Sequence, residues 1–214
     1  MAYRYDYEHI KERKIYDILR PIGHLWLKCA FKYEYAGVEN IPEGGGFIIA
    51  GNHMHLLDPM AIALAMDDRQ MHFMAKKELF DHLFTRFIFT CVNGFPVARG
   101  RADTAAMDYA CRIPGEGKIL GIFPEGTRSR DGKIARPKRG IATIAAKAKC
   151  DIVPVSIYNN EGFKKHTRVT VRFGKPIKYE ELSLGDEPSR EELKAAADYI
   201  MDKIKVLWEE GHCE

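Results

Sequence analysis

The sequence lacks several features that mark particular classes of protein. Its five cysteines include no C-x-x-C pair, which argues against a disulfide framework and a structural zinc site and favours a reducing compartment. The longest stretch without Asp, Glu, Lys or Arg covers residues 44–57, which is shorter than the ~20 apolar residues of a membrane-spanning helix. The first residues contain no apolar segment, so we expect no secretory signal.

Charge is nearly balanced over the whole chain but unevenly distributed along it. The net charge is +3, whereas residues 128–178 carry 14 basic and 3 acidic side chains (net +11) and residues 179–214 carry 4 and 11 (net −7). The basic block indicates either contact with an anion, such as a phosphate or an anionic lipid, or an ordinary solvated face. Aromatic residues are not interleaved with the basic ones as a stacking surface for bases requires, so we expect no nucleic-acid partner.

The N-terminal residues predict amphipathic helices. The length of 214 residues suggests one domain, and we expect an N-terminal helical segment over residues 1–36 and a globular domain over 37–214. Within the segment, apolar residues at helical spacing predict two short helices broken at residues 21–23. Lys and Arg surround them, which is typical of helices lying on anionic lipid and also of helices docked on the protein's own core.

Short apolar strands alternate with helices through the rest of the chain. This order predicts an α/β fold with a mostly parallel central sheet flanked by helices. Ser189, with Glu192 three residues later, predicts the start of a long C-terminal helix. Strands are expected at residues 47–50, 72–75, 95–97, 119–123, 152–158 and 168–173, and helices at 58–66, 78–89, 103–112, 140–149 and 189–208. Ligands of such sheets bind at the carboxyl ends of the strands.

A histidine and an aspartate lie in the loop after the first predicted strand. His53 precedes Asp58 by five residues, so the carboxylate could orient the imidazole and leave its second nitrogen to take a proton from a hydroxyl. Alternatively, Asp58 is only the N-cap of a helix that begins at Pro59. His53 and His55 could also bind a metal, but no third ligand lies nearby in the sequence, and we predict no metal site.

A second polar motif follows the strand at residues 119–123. Its sequence, Pro-Glu-Gly-Thr-Arg-Ser-Arg, combines a glycine, hydroxyls and two guanidinium groups, which suits the oxygen atoms of a phosphate. The alternative is a polar surface turn with a Glu–Arg ion pair. Between the two motifs lies an apolar stripe at helical spacing. The favoured interpretation is that the stripe is buried core, and the alternative is that it lines a trough for the acyl chain. Its members are Leu79, Phe80, Leu83, Phe84, Phe87 and Ile88.

Taken together, these motifs occur in an order that is specific to one family. The chain resembles the bacterial 1-acyl-glycerol-3-phosphate acyltransferases (PlsC-like glycerolipid acyltransferases) over about residues 42–173. The matching blocks, in chain order, are Asn52-His53-x4-Asp58, Ala75-Lys76-Lys77-Glu78-Leu79, Gly94-Phe95-Pro96-Val97-x-Arg99, Phe123-Pro124-Glu125-Gly126-Thr127-Arg128-Ser129 and Val153-Pro154-Val155-Ser156-Ile157.

The resemblance implies a role for each matching residue. His53 is similar to the base that deprotonates an acceptor hydroxyl, Asp58 to its orienting partner, and 153–155 to the segment beside the acyl donor. The residues that would hold the acceptor phosphate are Lys76, Arg99, Glu125, Gly126, Thr127 and Arg128.

The resemblance also implies a reaction and its partners. We expect transfer of a fatty acyl group from acyl-CoA or acyl carrier protein to lysophosphatidate, giving phosphatidate, without a cofactor. Other acceptors are glycerol 3-phosphate, another lysophospholipid or a lyso-aminolipid, and the non-enzymatic alternative is a module that binds anionic membranes. We expect peripheral attachment to the cytoplasmic face of the cell membrane through residues 1–33.

Overall fold

The computed structural model describes residues 3, 5–66, 69–98, 103–129, 131–162 and 164–213. The strands are β1 (Lys32–Ala36), β2 (Phe47–Gly51), β3 (Met71–Lys76), β4 (Gly94–Val97), β5 (Ile119–Ile122), β6 (Ile152–Tyr158) and β7 (Arg168–Phe173). The α-helices are α1 (Lys14–Ala30), α2 (Asp58–Ala63), α3 (Leu83–Cys91), α4 (Thr104–Gly115), α5 (Gly140–Ala148) and α6 (Arg190–Glu209). Single 3₁₀ turns occur at Val38–Asn40, Lys77–Phe80 and Tyr179–Leu182.

All seven strands belong to one sheet, in the order β1-β7-β6-β2-β5-β3-β4. The five strands from β6 to β4 run parallel, β7 is antiparallel to β6, and β1 is parallel to β7. The predicted α/β fold with a mostly parallel sheet is therefore confirmed. The carboxyl ends of β2, β5 and β3 meet at one edge of the sheet, and the two polar motifs follow there.

Helices cover both faces of the sheet because its central strands are apolar on both sides. Successive residues Ile48 and Ile49 of β2 are buried in separate cores, as the two-residue period of a strand requires. The first core contains the buried sides of α4, α5 and α6, and the second contains those of α1 and α2. The predicted cap of α6 is confirmed, with the Ser189 hydroxyl accepting the Glu192 N–H at 3.1 Å.

The N-terminal region differs from its prediction. Instead of two helices, one helix, α1, runs from Lys14 through Pro21 to Ala30. Proline removes one backbone hydrogen bond, but the buried side chains of Tyr16 and Leu27 lie on either side of it and pack both halves on the same core. Tertiary packing thus outweighs the local preference for a break.

Residues on either side of α1 also differ from prediction. Before α1, Tyr5 and Tyr7 do not form a helix but pack against Tyr109 on the opposite face of the sheet, with ring centroids 5.8 and 5.7 Å apart. After α1, β1 pairs with β7 as an edge strand that the sequence analysis missed. The proposed domain boundary at residue 36 falls at the end of this strand.

The helix predicted over residues 78–89 is two elements. A 3₁₀ turn, Lys77–Phe80, is followed by α3, Leu83–Cys91. Among the described residues, no helix combines the length and apolarity needed to cross a bilayer.

Candidate active site

The loop that follows β2 leaves the sheet in a fixed direction. Asn52 is fully buried, and its side-chain amide makes the two hydrogen bonds to Ile157 of β6 that a neighbouring strand would otherwise make. It accepts the Ile157 N–H at 2.7 Å and donates to the Ile157 carbonyl at 3.0 Å. A buried amide with both groups satisfied is held rigidly. Asn52 therefore fixes the point from which the following residue, His53, projects.

His53 and Asp58 form the pair that their spacing predicts. The Nδ1 atom of His53 lies 2.9 Å from Oδ2 of Asp58, whose side chain is fully buried. The same oxygen accepts the backbone N–H groups of Met54 and His55, each at 2.7 Å. Because a carboxylate only accepts hydrogen bonds, Nδ1 is the donor and Nε2 keeps its lone pair. The α2 helix begins at Asp58, and Leu57 occupies the N-cap position.

The surroundings of the His53 ring leave one nitrogen available. The ring stacks on Phe123 with centroids 4.1 Å apart and planes inclined by 18°. The side chain is 13% exposed, and Nε2 makes no hydrogen bond within the described part of the chain. An oriented imidazole with a free Nε2 can accept a proton from a hydroxyl group.

Glu125 links the two polar motifs. It is 3% exposed, and its carboxylate accepts the His53 N–H on Oε1 and the Ala135 N–H on Oε2, both at 2.8 Å. The Ser129 N–H in turn donates to the His53 carbonyl at 2.8 Å. Burial raises the pKa of Glu125, and these two backbone donors oppose the shift. The turn after β5 and the loop after β2 therefore form one hydrogen-bonded unit.

The rest of the turn after β5 presents cations at its surface. Gly126 has a φ of +70°, and both Thr127 and Arg128 are exposed. Burial lowers the pKa of His55 in the loop after β2; the charge of Asp58 opposes this shift, and the positive charge of Arg128 adds to it. Exposed hydroxyl and guanidinium groups beside a glycine can bind the oxygen atoms of a phosphate.

Lys138 is a cation of this turn that the sequence analysis did not select. Its backbone N–H donates to the Pro124 carbonyl at 2.8 Å, and its Nζ atom would lie 2.8 Å from a Cβ placed on Gly126. Within the described residues, Lys138 forms no ion pair. The only sequence signal was its membership of the basic block, which does not distinguish it from its neighbours.

Two further residues predicted to contact the phosphate are Lys76 and Arg99. Ala50 pairs with Ile122 and Phe73 with Gly121, so the carboxyl ends of β2, β5 and β3 lie at the same edge of the sheet. Lys76 thus ends β3 at the edge that carries the site, where its Nζ lies 3.3 Å from Glu78. Arg99 lies outside the described residues.

The apolar stripe after β3 is mostly surface. Phe80 is buried, as the core interpretation expects, but four members on α3 are exposed, and for these the prediction of core is wrong. They are Leu83, Phe84, Phe87 and Ile88. The short α3 helix packs through its other side, where Phe89 is half-buried and its ring centroid lies 6.0 Å from that of Phe80.

Comparison with known proteins identifies the family of the chain. Residues 32–158 match the sequence model of the Acyltransferase family. A 1-acyl-sn-glycerol-3-phosphate acyltransferase of Bacillus subtilis is 32% identical over 173 residues, covering 79% of this chain and 84% of its own. One from Streptococcus pneumoniae is 30% identical over 206 residues, covering 93% and 75%. The crystal structure of the 1-acyl-sn-glycerophosphate acyltransferase PlsC from Thermotoga maritima superposes with a TM-score of 0.68 at 25% identity, covering 93% of this chain and 81% of that one.

Proposed function

The chain belongs to the acyltransferase family, and we propose that it transfers a fatty acyl group from acyl-CoA or acyl carrier protein to the free hydroxyl of 1-acyl-sn-glycerol 3-phosphate, giving phosphatidate. The relatives named above carry this activity in their names. The observation that supports it most is the link through Glu125, which holds an oriented imidazole beside a cationic turn. One acceptor with a hydroxyl and a phosphate on the same glycerol can contact both.

In the proposed reaction, His53 is the general base. Its Nε2 takes the proton of the acceptor hydroxyl while the oxygen attacks the thioester carbonyl carbon, forming a tetrahedral oxyanion. Collapse of this intermediate breaks the C–S bond, and the imidazolium returns the proton to the departing sulfur. Asp58 stabilises the imidazolium and holds its tautomer. General-base catalysis of this kind contributes about 10²–10⁴-fold in rate.

The cationic turn binds the acceptor phosphate in this proposal. Arg128, Thr127 and Lys138 supply charged and hydroxyl donors, Lys76 approaches from the end of β3, and Arg99 is proposed on its sequence position alone. Binding of a remote phosphate orients the hydroxyl toward His53, and such orientation can lower a barrier by several kcal/mol. Glu125 has both carboxylate oxygens engaged by backbone donors, so we assign it a positioning role.

No metal or cofactor enters the proposed mechanism. A thioester carbonyl is already activated, so the residues need only deprotonate the hydroxyl and align the two substrates. The acyl donor is therefore a co-substrate, and its carrier is CoA or acyl carrier protein.

We further propose that the protein works at the cytoplasmic face of the cell membrane, attached peripherally through α1. The exposed side of this helix carries Ile18, Ile22, Leu25 and Trp26. Lys14 and Lys28 are exposed on the same helix, and basic residues beside exposed apolar ones are typical of a helix lying in the interface of an anionic membrane.

A direct assay tests the proposed reaction. Purified protein is incubated with labelled acyl-CoA or acyl carrier protein and with lysophosphatidate, and phosphatidate is the expected product. His53→Ala should lower the rate by about 10²–10⁴-fold, whereas His9→Ala, a substitution of an exposed histidine outside the site, should not. An unchanged rate in a folded His53→Ala variant would exclude His53 as the base.

The identity of the acceptor needs a separate measurement. Mass spectrometry of products from a mixed pool of lysophosphatidate, glycerol 3-phosphate, other lysophospholipids and lyso-aminolipids identifies the acceptor that is used. We expect phosphatidate to dominate. A different dominant product would keep the proposed chemistry and replace the proposed acceptor.

A further inference from the structure

The exposed apolar side chains are concentrated on two helices. Of the twelve large apolar residues exposed in the described part of the chain, six lie on α1 and four on α3. The remaining two are Leu56 and Val206. Large apolar patches on a soluble surface usually mark a site of contact with a protein or a membrane.

The α3 helix has an unusually apolar outer face for its length. It has nine residues, and Leu83, Phe84, Phe87 and Ile88 follow a spacing that places them on one side. Their exposed fractions are between 42% and 75%. Four such side chains in contact with water are unfavourable, because the free energy gained by burying apolar surface rises with the area removed from water.

A buried glutamine holds the start of α1 beside the end of α3. The side-chain oxygen of Gln70 accepts the Arg13 N–H at 2.9 Å and the Asn93 side-chain amide at 2.8 Å. Its nitrogen donates to Oδ2 of Asp17 at 2.9 Å. Arg13 is the N-cap of α1, and Asn93 follows α3 by two residues. The two helices are therefore neighbours at these ends.

The opposite ends of both helices reach the edge of the sheet that carries His53. The α3 helix begins shortly after the carboxyl end of β3. The residue that follows α1, Phe31, lies with its ring centroid 6.1 Å from that of His55 in the catalytic loop. The two apolar faces therefore both begin or end beside the site.

The charge of the two helices favours an anionic partner. Two lysines, Lys14 and Lys28, and one acidic residue, Asp17, are exposed on α1. The other basic residues of the two helices are half-buried: Arg20 donates to the Met66 carbonyl at 3.0 Å, and Arg86 lies over the Tyr3 ring. Basic residues around exposed aliphatic and aromatic side chains match a bilayer that contains anionic phospholipids.

We propose that the outer face of α3 is a second membrane-contact surface, which together with α1 seats the protein on an anionic bilayer with the His53 edge beside the lipid. The inference rests in part on the proposed function, since a lipid acceptor must reach His53 from the membrane.

Vesicle binding tests this surface without requiring turnover. Partitioning onto phosphatidylcholine vesicles containing phosphatidylglycerol is measured for the full chain and for the double variant Phe84→Ser/Phe87→Ser. We expect the partition coefficient to fall at least about tenfold, since two phenylalanines lose their burial in lipid. The matched control, Val206→Ser on α6, removes a 58% exposed apolar residue elsewhere and should bind like the wild type.

Three results would overturn the proposal. The first is that the double variant and a second variant, Leu83→Ser/Ile88→Ser, both bind vesicles as strongly as the control does, while circular dichroism shows that they are folded. Another is failure of the wild-type chain to bind the vesicles. The third is that, in sedimentation without lipid, the wild-type chain is a dimer and the double variant is a monomer, because α3 would then be a subunit interface.

The failure of this proposal can be told from the failure of the proposed function. The wild-type chain should acylate a short-chain lysophosphatidate below its micelle concentration, in the absence of vesicles. His53→Ala should lose that activity and still bind vesicles like the wild type. Activity loss and vesicle-binding loss therefore separate into different variants.

Discussion

The carboxylate of Glu125 accepts the backbone N–H of His53 at 2.8 Å, which ties the turn after β5 to the residue that carries the imidazole. Its other oxygen holds Ala135, ten residues further along the chain. A buried carboxylate with two backbone donors fixes the positions of three segments at once. It does so without touching the imidazole ring itself.

Glu125→Gln should therefore lower activity by displacing His53 and not by weakening substrate binding. An amide keeps one acceptor oxygen but turns an NH₂ group toward one of the two backbone donors, which leaves a buried donor unpaired. We expect a loss of about 1–3 kcal/mol in the free energy of unfolding, and a fall in kcat at nearly constant KM. Denaturant unfolding and steady-state kinetics measure both. A change confined to the KM for lysophosphatidate would instead indicate direct contact with the substrate.

Asp58→Asn tests the orientation of the imidazole. Asparagine has the same shape, but it carries no charge to stabilise the imidazolium. Its NH₂ group can also face the donors whose hydrogen bonds Oδ2 now accepts. We expect kcat to fall by about 10²–10⁴-fold with little change in acceptor KM. The kinetics should be compared at equal folded fraction, determined by circular dichroism. Full activity in the folded variant would mean that Asp58 only shapes the loop.

Gly126 and Gly132 form a matched pair for the cationic turn. Both have a positive φ (+70° and +74°), but an added Cβ meets Lys138 only at Gly126 and lies in open space at Gly132. Alanine at either position should cost about 1–2 kcal/mol of stability from backbone strain. Only Gly126→Ala should also raise the KM for lysophosphatidate, because it displaces the Lys138 ammonium group. Equal KM values for the two variants would argue against a role for Lys138.

Lys138→Ala and Arg128→Ala should weaken use of the phosphate-bearing acceptor. Loss of one charge-assisted contact is worth about 1.5–3 kcal/mol, so we expect the KM for lysophosphatidate to rise by about 10–150-fold. With monoacylglycerol, which lacks the phosphate, each variant should match the wild type. The control is Lys133→Ala, an exposed lysine of the same loop. An equal loss with both acceptors would contradict phosphate binding.

His72 makes stability depend on pH. It is buried on β3, and burial, aided by the charge of Lys118, lowers its pKa to about 4. In the unfolded chain this histidine has a pKa of about 6.5, so the unfolded chain binds more protons than the folded chain between these values, and stability falls as pH falls from about 6.5 to 4. His72→Gln should remove on the order of 3 kcal/mol of that decrease. The control, His82→Gln at an exposed site, should leave the urea-unfolding profile from pH 7 to 4 unchanged.

Local patterns were sufficient to predict six of the seven strands of the sheet and the proximity of the two polar motifs. The central strands, such as Phe47–Gly51, are short continuous apolar runs because both faces of a parallel sheet are buried. The carboxyl ends of parallel strands meet at one edge, so the motifs after β2 and β5 were expected to be close. The spacing of His53 and Asp58 likewise predicted their contact, since a short loop confines both side chains.

Contacts between distant segments decided what these patterns could not. The chain passes through Pro21 as helix because Tyr16 and Leu27 are buried on either side of it, and Lys138 joins the cationic turn because its backbone bonds to Pro124. The spacing of apolar residues in α3 would be the same if its apolar face were buried in the core or exposed at the surface. The packing of the other elements leaves that face exposed. Periodicity reports which side of a helix is apolar; what covers that side depends on residues far away in the sequence.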